Sequence, residues 1–573
     1  MANVTNLRQQ FLRVQRESYR RRLREARETL EASPVVLRYG REYHRGLKKY
    51  RALSSWSEVM KSLASAQIVY HGDYHPLRHS QRCILSVLNE ISEKRETVLC
   101  LEMFHGTDQK SVDGYLAGAI GEKEFLKKIR YAEKWAYNWN PWKRILDLCR
   151  ERKIPVLGIN SEARHASNSL RERDVTSAQI IGQTLIRNPN ALIYVVDGDY
   201  HVAPEHLPAE VEKRVAPLEL HPTKVILYQN AETLYWKLAE EGHEEADVVQ
   251  VSENSFCLMN TVPTTKIQAY LDWLQYAEDG YSPVWGDWAE LSGEDYLTQI
   301  RGMVKDLGRF LGLECPQGKL DRLTVYSNRN LDFGGIIELH PSIKKEISRI
   351  KAKIRRGEGF LLEIQDGPEP SYVIYLQEAS VNQAAEEATH FLNVALRGPL
   401  RKRLSASDRF YREVMTEALG FIGSKTINER RKVVTEWKLR TFLGRIRKSG
   451  SRNREEAANA ETSRFLLQHH HLEQRHASVD IFLRKFSGII AAGGEVPHRA
   501  ATQLGYMLGN KLFYAVKKGY MPISFIRTLF SRSFEKPDEA LIAYLALSRR
   551  MQHLHTSHGR ASLEAERTLS ETA

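Results

Sequence analysis

At 573 residues the chain is too long for one ordinary domain, and its 42% hydrophobic content supplies real cores and excludes a disordered composition. No apolar run is long enough to cross a bilayer, while the net charge of +13 leaves nucleic acid and anionic surfaces as partners to weigh. The five cysteines, Cys83, Cys100, Cys149, Cys257 and Cys315, are scattered and form no C-x-x-C pair, which excludes a disulfide framework or cysteine zinc site and points to reduced thiols in a cytoplasmic protein.

Residues 4–31 read as one long basic helix closed before Pro34, with no apolar stretch of a secretory signal and with Glu17, Glu25, Glu28 and Glu31 against a transit signal. Weaker helical pattern runs on to about residue 64, so residues 1–59 are expected to be a basic helical extension. Strands are predicted at 66–72, 96–104, 154–160, 190–198, 223–230 and 247–260, with amphipathic helices between them. Near-continuous apolar strands alternating with helices mean a mostly parallel sheet flanked by helices, placed at residues 60–282.

Residues 283–379 form a mixed segment, with a helix opened by Ser292 as N-cap and a hairpin over 359–379. A helical domain is expected over 380–554 and a disordered tail over 555–573. The helical region offers a surface for a protein partner. Its basic stretch, 428–456, reads as solvated helix faces in preference to a nucleic-acid site, because no aromatic-basic stacking module accompanies it. Glu387-Ala-Thr-His390 has the Glu-x-x-His spacing of a di-iron bundle, but no second copy follows, and it reads as structure. The run "QHHHLEQRH" (468–476), with His469, His470, His471, Glu473 and His476, reads as an exposed helix without chemistry.

One tetrapeptide occurs twice, as Gly72-Asp73-Tyr74-His75 and Gly198-Asp199-Tyr200-His201, each time after a strand. Ligands of open α/β sheets bind beyond the carboxyl ends of the strands, so both histidines are placed at that edge. Gly72 and Gly198 permit a tight turn or a close backbone approach. The second strand delivers Glu102 and the third Asn160 at equivalent positions, so four strands direct His75, Glu102, Asn160 and His201 to one crevice. Two imidazoles and a carboxylate are ligands for zinc, manganese, iron or cobalt, and would leave a position for an acidified water.

The ordered pieces "HGDYHPLRHSQ", "CLEMFHGTDQKSVDGYLAG", residues 139–160 and "VVDGDYHV", with Asp113, Tyr115, Gly118 and the Trp139–Trp142 stretch, resemble the ChaN branch of the Tiki/TraB/erythromycin-esterase superfamily over residues 60–262. ChaN-like proteins are haem-binding and iron-regulated. The resemblance therefore implies a haem or iron site built by Gly72, Tyr74, His75, Asn160, Gly198, Tyr200 and His201, with Tyr74, Tyr200 or a histidine as axial ligand. Tyr74, Tyr200, Phe104, Trp139 and Trp142 would wall the haem. Tiki-like relatives are metal-dependent proteases; that branch implies His75, Glu102 and His201 as metal ligands and catalytic residues. A third reading is a non-catalytic interaction protein. Asp73 stands where ChaN relatives commonly carry Glu.

Overall fold

The structure is a computed structural model that describes residues 2–28, 34–135, 137–161, 169–278, 293–327, 340, 350–351, 353–354, 356–365, 369–377, 380–398, 404–451 and 453–558. The chain divides into two compact units, residues 19–289 and residues 1–18 with 290–573. The Ser292 cap, the turn of the 359–379 hairpin at 366–368 and the tail beyond 558 lie outside the described residues.

The unit of residues 19–289 carries an eight-stranded sheet: β1 (Ala52–Ser54), β2 (Ile68–Asp73), β3 (Thr97–His105), β4 (Val156–Asn160), β5 (Leu192–Gly198), β6 (Lys224–Gln229), β7 (Val248–Ser252) and β8 (Ser255–Leu258). Their order is β1-β7-β8-β6-β2-β5-β3-β4. From β8 to β4 every neighbouring pair is parallel, and only β7 is reversed, pairing antiparallel with β8 and with the edge strand β1. Every residue of β2 and of β5 is buried, which is why these strands read as unbroken apolar runs: helices cover both faces of a parallel sheet.

Two expectations are corrected here. The single strand expected at 247–260 is a hairpin, β7 and β8, bent at Glu253-Asn254. Residues 1–59 are not a separate extension: β1 pairs with β7, while Phe11 and Val14 belong to the core of the other unit. Three residues are too short a strand to leave a periodic signal.

In the other unit a three-stranded sheet, β9 (Leu323–Ser327), β10 (Phe360–Ile364) and β11 (Ser371–Leu376), has the order β10-β11-β9 and carries the expected antiparallel hairpin. A helical assembly follows. Its helices Ala406–Ile427 and Glu495–Lys517 cross at Gly505 and Gly509, where an added Cβ would lie 2.7 Å from Val414 O and 2.5 Å from Ala418 O, respectively. Bare glycines here let two backbones meet.

The histidine run is only partly exposed. His469 is fully buried among Phe465, Phe482 and Phe486, its Nδ1 2.7 Å from Glu473 Oε1. Tyr544 and Ser548 also donate to Glu473. Burial alone would raise this carboxyl, but the hydrogen bond and charge of His469 hold it at about 2 against an ordinary 4.5. A depressed carboxyl stabilises the fold above its unfolded value and loses that contribution as pH falls from 4.5 toward 2. Glu473→Gln is therefore expected to cost roughly 3 kcal/mol at neutral pH. Urea melts should show wild type and variant converging near pH 2–3; a gap independent of pH would contradict this account.

Candidate functional site

β2 and β5 are parallel neighbours, with Gly72 opposite Asp197 and Asp73 opposite Gly198. The Asp199 amide donates to the Asp73 carbonyl at 3.0 Å, so the two copies of the tetrapeptide lie side by side. β3 borders β5 only as far as Leu101–Val196, and its pairing with β4 is interrupted between Leu101 and His105. Glu102 sits in that interruption, and its Oε2 accepts the Gly198 amide at 2.7 Å. His75 Nε2 lies 3.4 Å from the same oxygen.

Gly198 is the floor of the site. A Cβ there would lie 3.3 Å from Glu102 Oε2, 3.3 Å from His75 Nε2 and 3.5 Å from His201 Cδ2. Neither tetrapeptide glycine has positive φ. Close approach, not a tight turn, is what each glycine provides; at Gly72 an added Cβ would lie 2.8 Å from Asp199 Oδ1.

Each histidine is fixed through Nδ1 by a buried carboxylate, which turns its Nε2 inward. For His75 the partner is Asp73, at 2.8 Å, itself held by Gln81 at 2.7 Å. For His201 it is Asp174, at 2.6 Å, which also accepts from Tyr39 at 2.9 Å. The two copies are thus wired differently. Asp73 serves its own histidine, whereas Asp199 pairs with Lys266 at 3.1 Å.

A second buried carboxyl, Asp197, completes the group: one donor atom each from Glu102, Asp197 and His201 lies within 4.8 Å of the others. Burial opposes the Glu102 charge, yet His75 and His201 hold this carboxyl down to about 2. Burial likewise opposes the His201 charge, but Asp197 and Asp174 raise it to about 10. Asp197 is pushed well above the usual carboxylate range, first by burial and then by the charge of Glu102, and it shares a hydrogen bond with that residue.

Of the residues expected from sequence, His75, Glu102, Gly198 and His201 come together. Tyr74 and Tyr200 turn to a neighbouring cluster: Lys266 Nζ stands 4.5 Å above the Tyr74 ring, and Tyr200 packs on Gly40 and Tyr43. Asn160 ends the edge strand β4, where its Oδ1 accepts the Ser161 amide. Phe104, Trp139 and Trp142 are plain core. The aromatic rings beside His75 are instead Trp135 at 4.6 Å and Tyr137 at 5.1 Å, the latter stacked on Trp273. Asp197 and Asp174 escaped the sequence reading. Asp197 directly precedes the second tetrapeptide and was hidden as a strand residue; Asp174 lies on the helix Ser169–Arg187 with no motif around it.

The donor chemistry suits a small first-row divalent ion: donor atoms of Glu102, Asp197 and His201 lie together, and His75 Nε2 stands 3.4 Å from Glu102 Oε2. The family model for haem-binding uptake, Tiki superfamily, ChaN matches residues 59–177, a stretch that includes His75, Glu102 and Asp174 and ends before Asp197 and His201. Among solved structures, one described as cofacial heme binding to ChaN of Campylobacter jejuni is similar at 12% identity and a TM-score of 0.23, over 31% of this chain and 86% of that chain. No curated protein matches the chain.

Proposed function

Since residues 59–177 are a domain of the ChaN haem-binding-uptake family, we propose that the strand-end site of this chain binds iron or another first-row divalent ion through His75, Glu102 and His201. The observation that carries the reading is the pair of Asp-fixed imidazoles meeting Glu102 over a bare glycine. Such an ion acts as a Lewis acid and acidifies water. Around it, Asp73 and Asp174 orient the rings, Glu102 supplies the compensating charge, and Asp197 stands as a further carboxyl beside the donors.

A haem reading has one observation in its favour. The His75 side chain is 20% exposed and bordered by Trp135 and Tyr137, an apolar wall with an imidazole at its edge. In that reading His75 is the axial donor, and the tyrosines of the tetrapeptides are not.

The two readings separate in one experiment on the full chain. Metal-free protein is titrated with Mn2+, Co2+ and Zn2+ by equilibrium dialysis, and separately with haem by Soret absorption. The ion reading expects saturable metal binding that His201→Ala weakens, with no Soret shift sensitive to His201. A Soret shift abolished by His75→Ala, with no divalent ion retained, would replace it by the haem reading.

A further inference from the structure

The unit of residues 1–18 and 290–573 contains a second buried donor cluster. On the helix Val381–Arg397, Glu386 and His390 are four residues apart and so share one face. The helix Ala406–Ile427 packs against it and brings Glu417 to the same place. One donor atom from each of Glu386, His390 and Glu417 lies within 4.8 Å of the others, and all three side chains are buried. Gly420 makes the room: a Cβ on it would lie 2.3 Å from His390 Nε2 and 3.1 Å from Glu386 Cγ.

The way the three are held is informative. Glu386 is gripped at Oε2 by Arg431 at 2.8 Å, and its carboxylate also meets the Tyr506 hydroxyl. Glu417 is gripped at Oε1 by Lys353 at 3.0 Å, and its Oε2 faces His390 Nε2 at 3.9 Å. His390 is held at Nδ1 by Glu387 at 3.2 Å, and its Nε2 is buried without a hydrogen-bond partner. Each residue is thus fixed at its outer atom and presents its inner atom to the centre. A carboxylate on the far nitrogen of an imidazole is the usual support of a metal-ligating histidine. An unpaired buried imidazole nitrogen carries its desolvation penalty uncompensated, and an ion at the centre removes that penalty.

Cavities adjoin the cluster on two sides. One of about 540 Å³ is bordered by His390, Glu413 and Glu417, and another of about 200 Å³ by Glu386, Glu387, Glu417 and Tyr506. They give ions and water a way in and supply the remaining coordination positions. Ligands about 2.1 Å from one ion at tetrahedral angles stand roughly 3.4 Å apart, so the carboxylates need to close by only a little over an ångström.

We propose that Glu386, His390 and Glu417 form a second binding site for a first-row divalent cation, with Glu387, Lys353 and Arg431 as positioning residues. The Glu387-Ala-Thr-His390 spacing reads as structure in the sequence; in this site Glu387 orients the ring and Glu386, one residue earlier, ligates. The missing second motif is not needed, because the third donor comes from the next helix.

Co2+ alone is the probe, measured on the full chain by equilibrium dialysis and by its visible ligand-field absorption. Two bound equivalents are expected for wild type and one for His201→Ala, so failure at the strand-end site and failure here are read separately. His390→Ala should remove one equivalent and the corresponding band. Glu387→Gln should keep the site but weaken it about 10- to 100-fold. If His390→Ala fails to fold by circular dichroism, Glu386→Gln takes its place. The proposal is overturned if the His201→Ala chain binds no Co2+, or if the retained equivalent survives His390→Ala or Glu386→Gln unchanged.

Discussion

Glu102→Gln is expected to lower the affinity of the strand-end site for divalent ions by about 10²- to 10³-fold while leaving the chain folded. Gln has the shape of Glu but not its charge, and the Gly198 amide can still find the amide oxygen at the 2.7 Å position. That same oxygen stays 3.4 Å from His75 Nε2, now without a carboxylate's charge, and the –NH2 takes the place of Oε1. Removing an anionic ligand should exceed the roughly 10- to 100-fold loss typical of an outer-shell change. Asp174→Asn is that outer-shell change for His201 and should fall in the lower range. Competition dialysis of both variants decides the order; equal losses would mean that Glu102 supports the site from outside and is not itself a ligand. His75→Ala should resemble Glu102→Gln more than Asp174→Asn.

Gly509→Ala is expected to destabilise the helical assembly by about 2 kcal/mol net. Alanine gains roughly 0.8–1.0 kcal/mol of helix propensity over glycine. Against it, the new methyl would sit 2.5 Å from Ala418 O and 2.9 Å from Phe421 Cβ, and a backbone oxygen cannot swing away. Overpacking of this kind costs about 3 kcal/mol, so the clash wins. Gly488, mid-helix in Val479–Ala492, has nothing within 4 Å of an added Cβ. Gly488→Ala should therefore stabilise by about 0.5–1 kcal/mol. Urea unfolding followed by far-ultraviolet circular dichroism should give the two substitutions opposite signs.

The strands of the sheet were legible because burial on both faces removes any need for alternation, leaving runs such as Ile68–Tyr70 and Leu192–Val196 that stand out from their surroundings. Their C-terminal ends could be located for the same reason, and with them His75, Glu102 and His201. Strand order was not written there. Chain order suggested four successive neighbours, whereas β5 inserts between β2 and β3, and β4 is displaced to the edge with Asn160. Residues supplied by tertiary packing were also illegible: Asp174 comes from a helix, Lys266 from another, and neither sits in a motif. Glu417 was hidden likewise, since nothing in a linear pattern says that it faces His390.

The side-by-side placement of the two tetrapeptides sets the timescale of the strand-end site. Its donors stand on or just beyond β2, β3 and β5, three strands hydrogen-bonded to one another in the interior of the sheet. Such a frame has no hinge, so capture of a ligand needs little ordering of the backbone and its release cannot be hastened by opening the fold. The His75 edge, 20% exposed against 7% for His201 and bordered by Trp135 and Tyr137, is the side from which exchange is expected. Residence time is then governed by how often those two rings part, and trimming Tyr137 would quicken both arrival and departure while leaving the equilibrium constant nearly untouched.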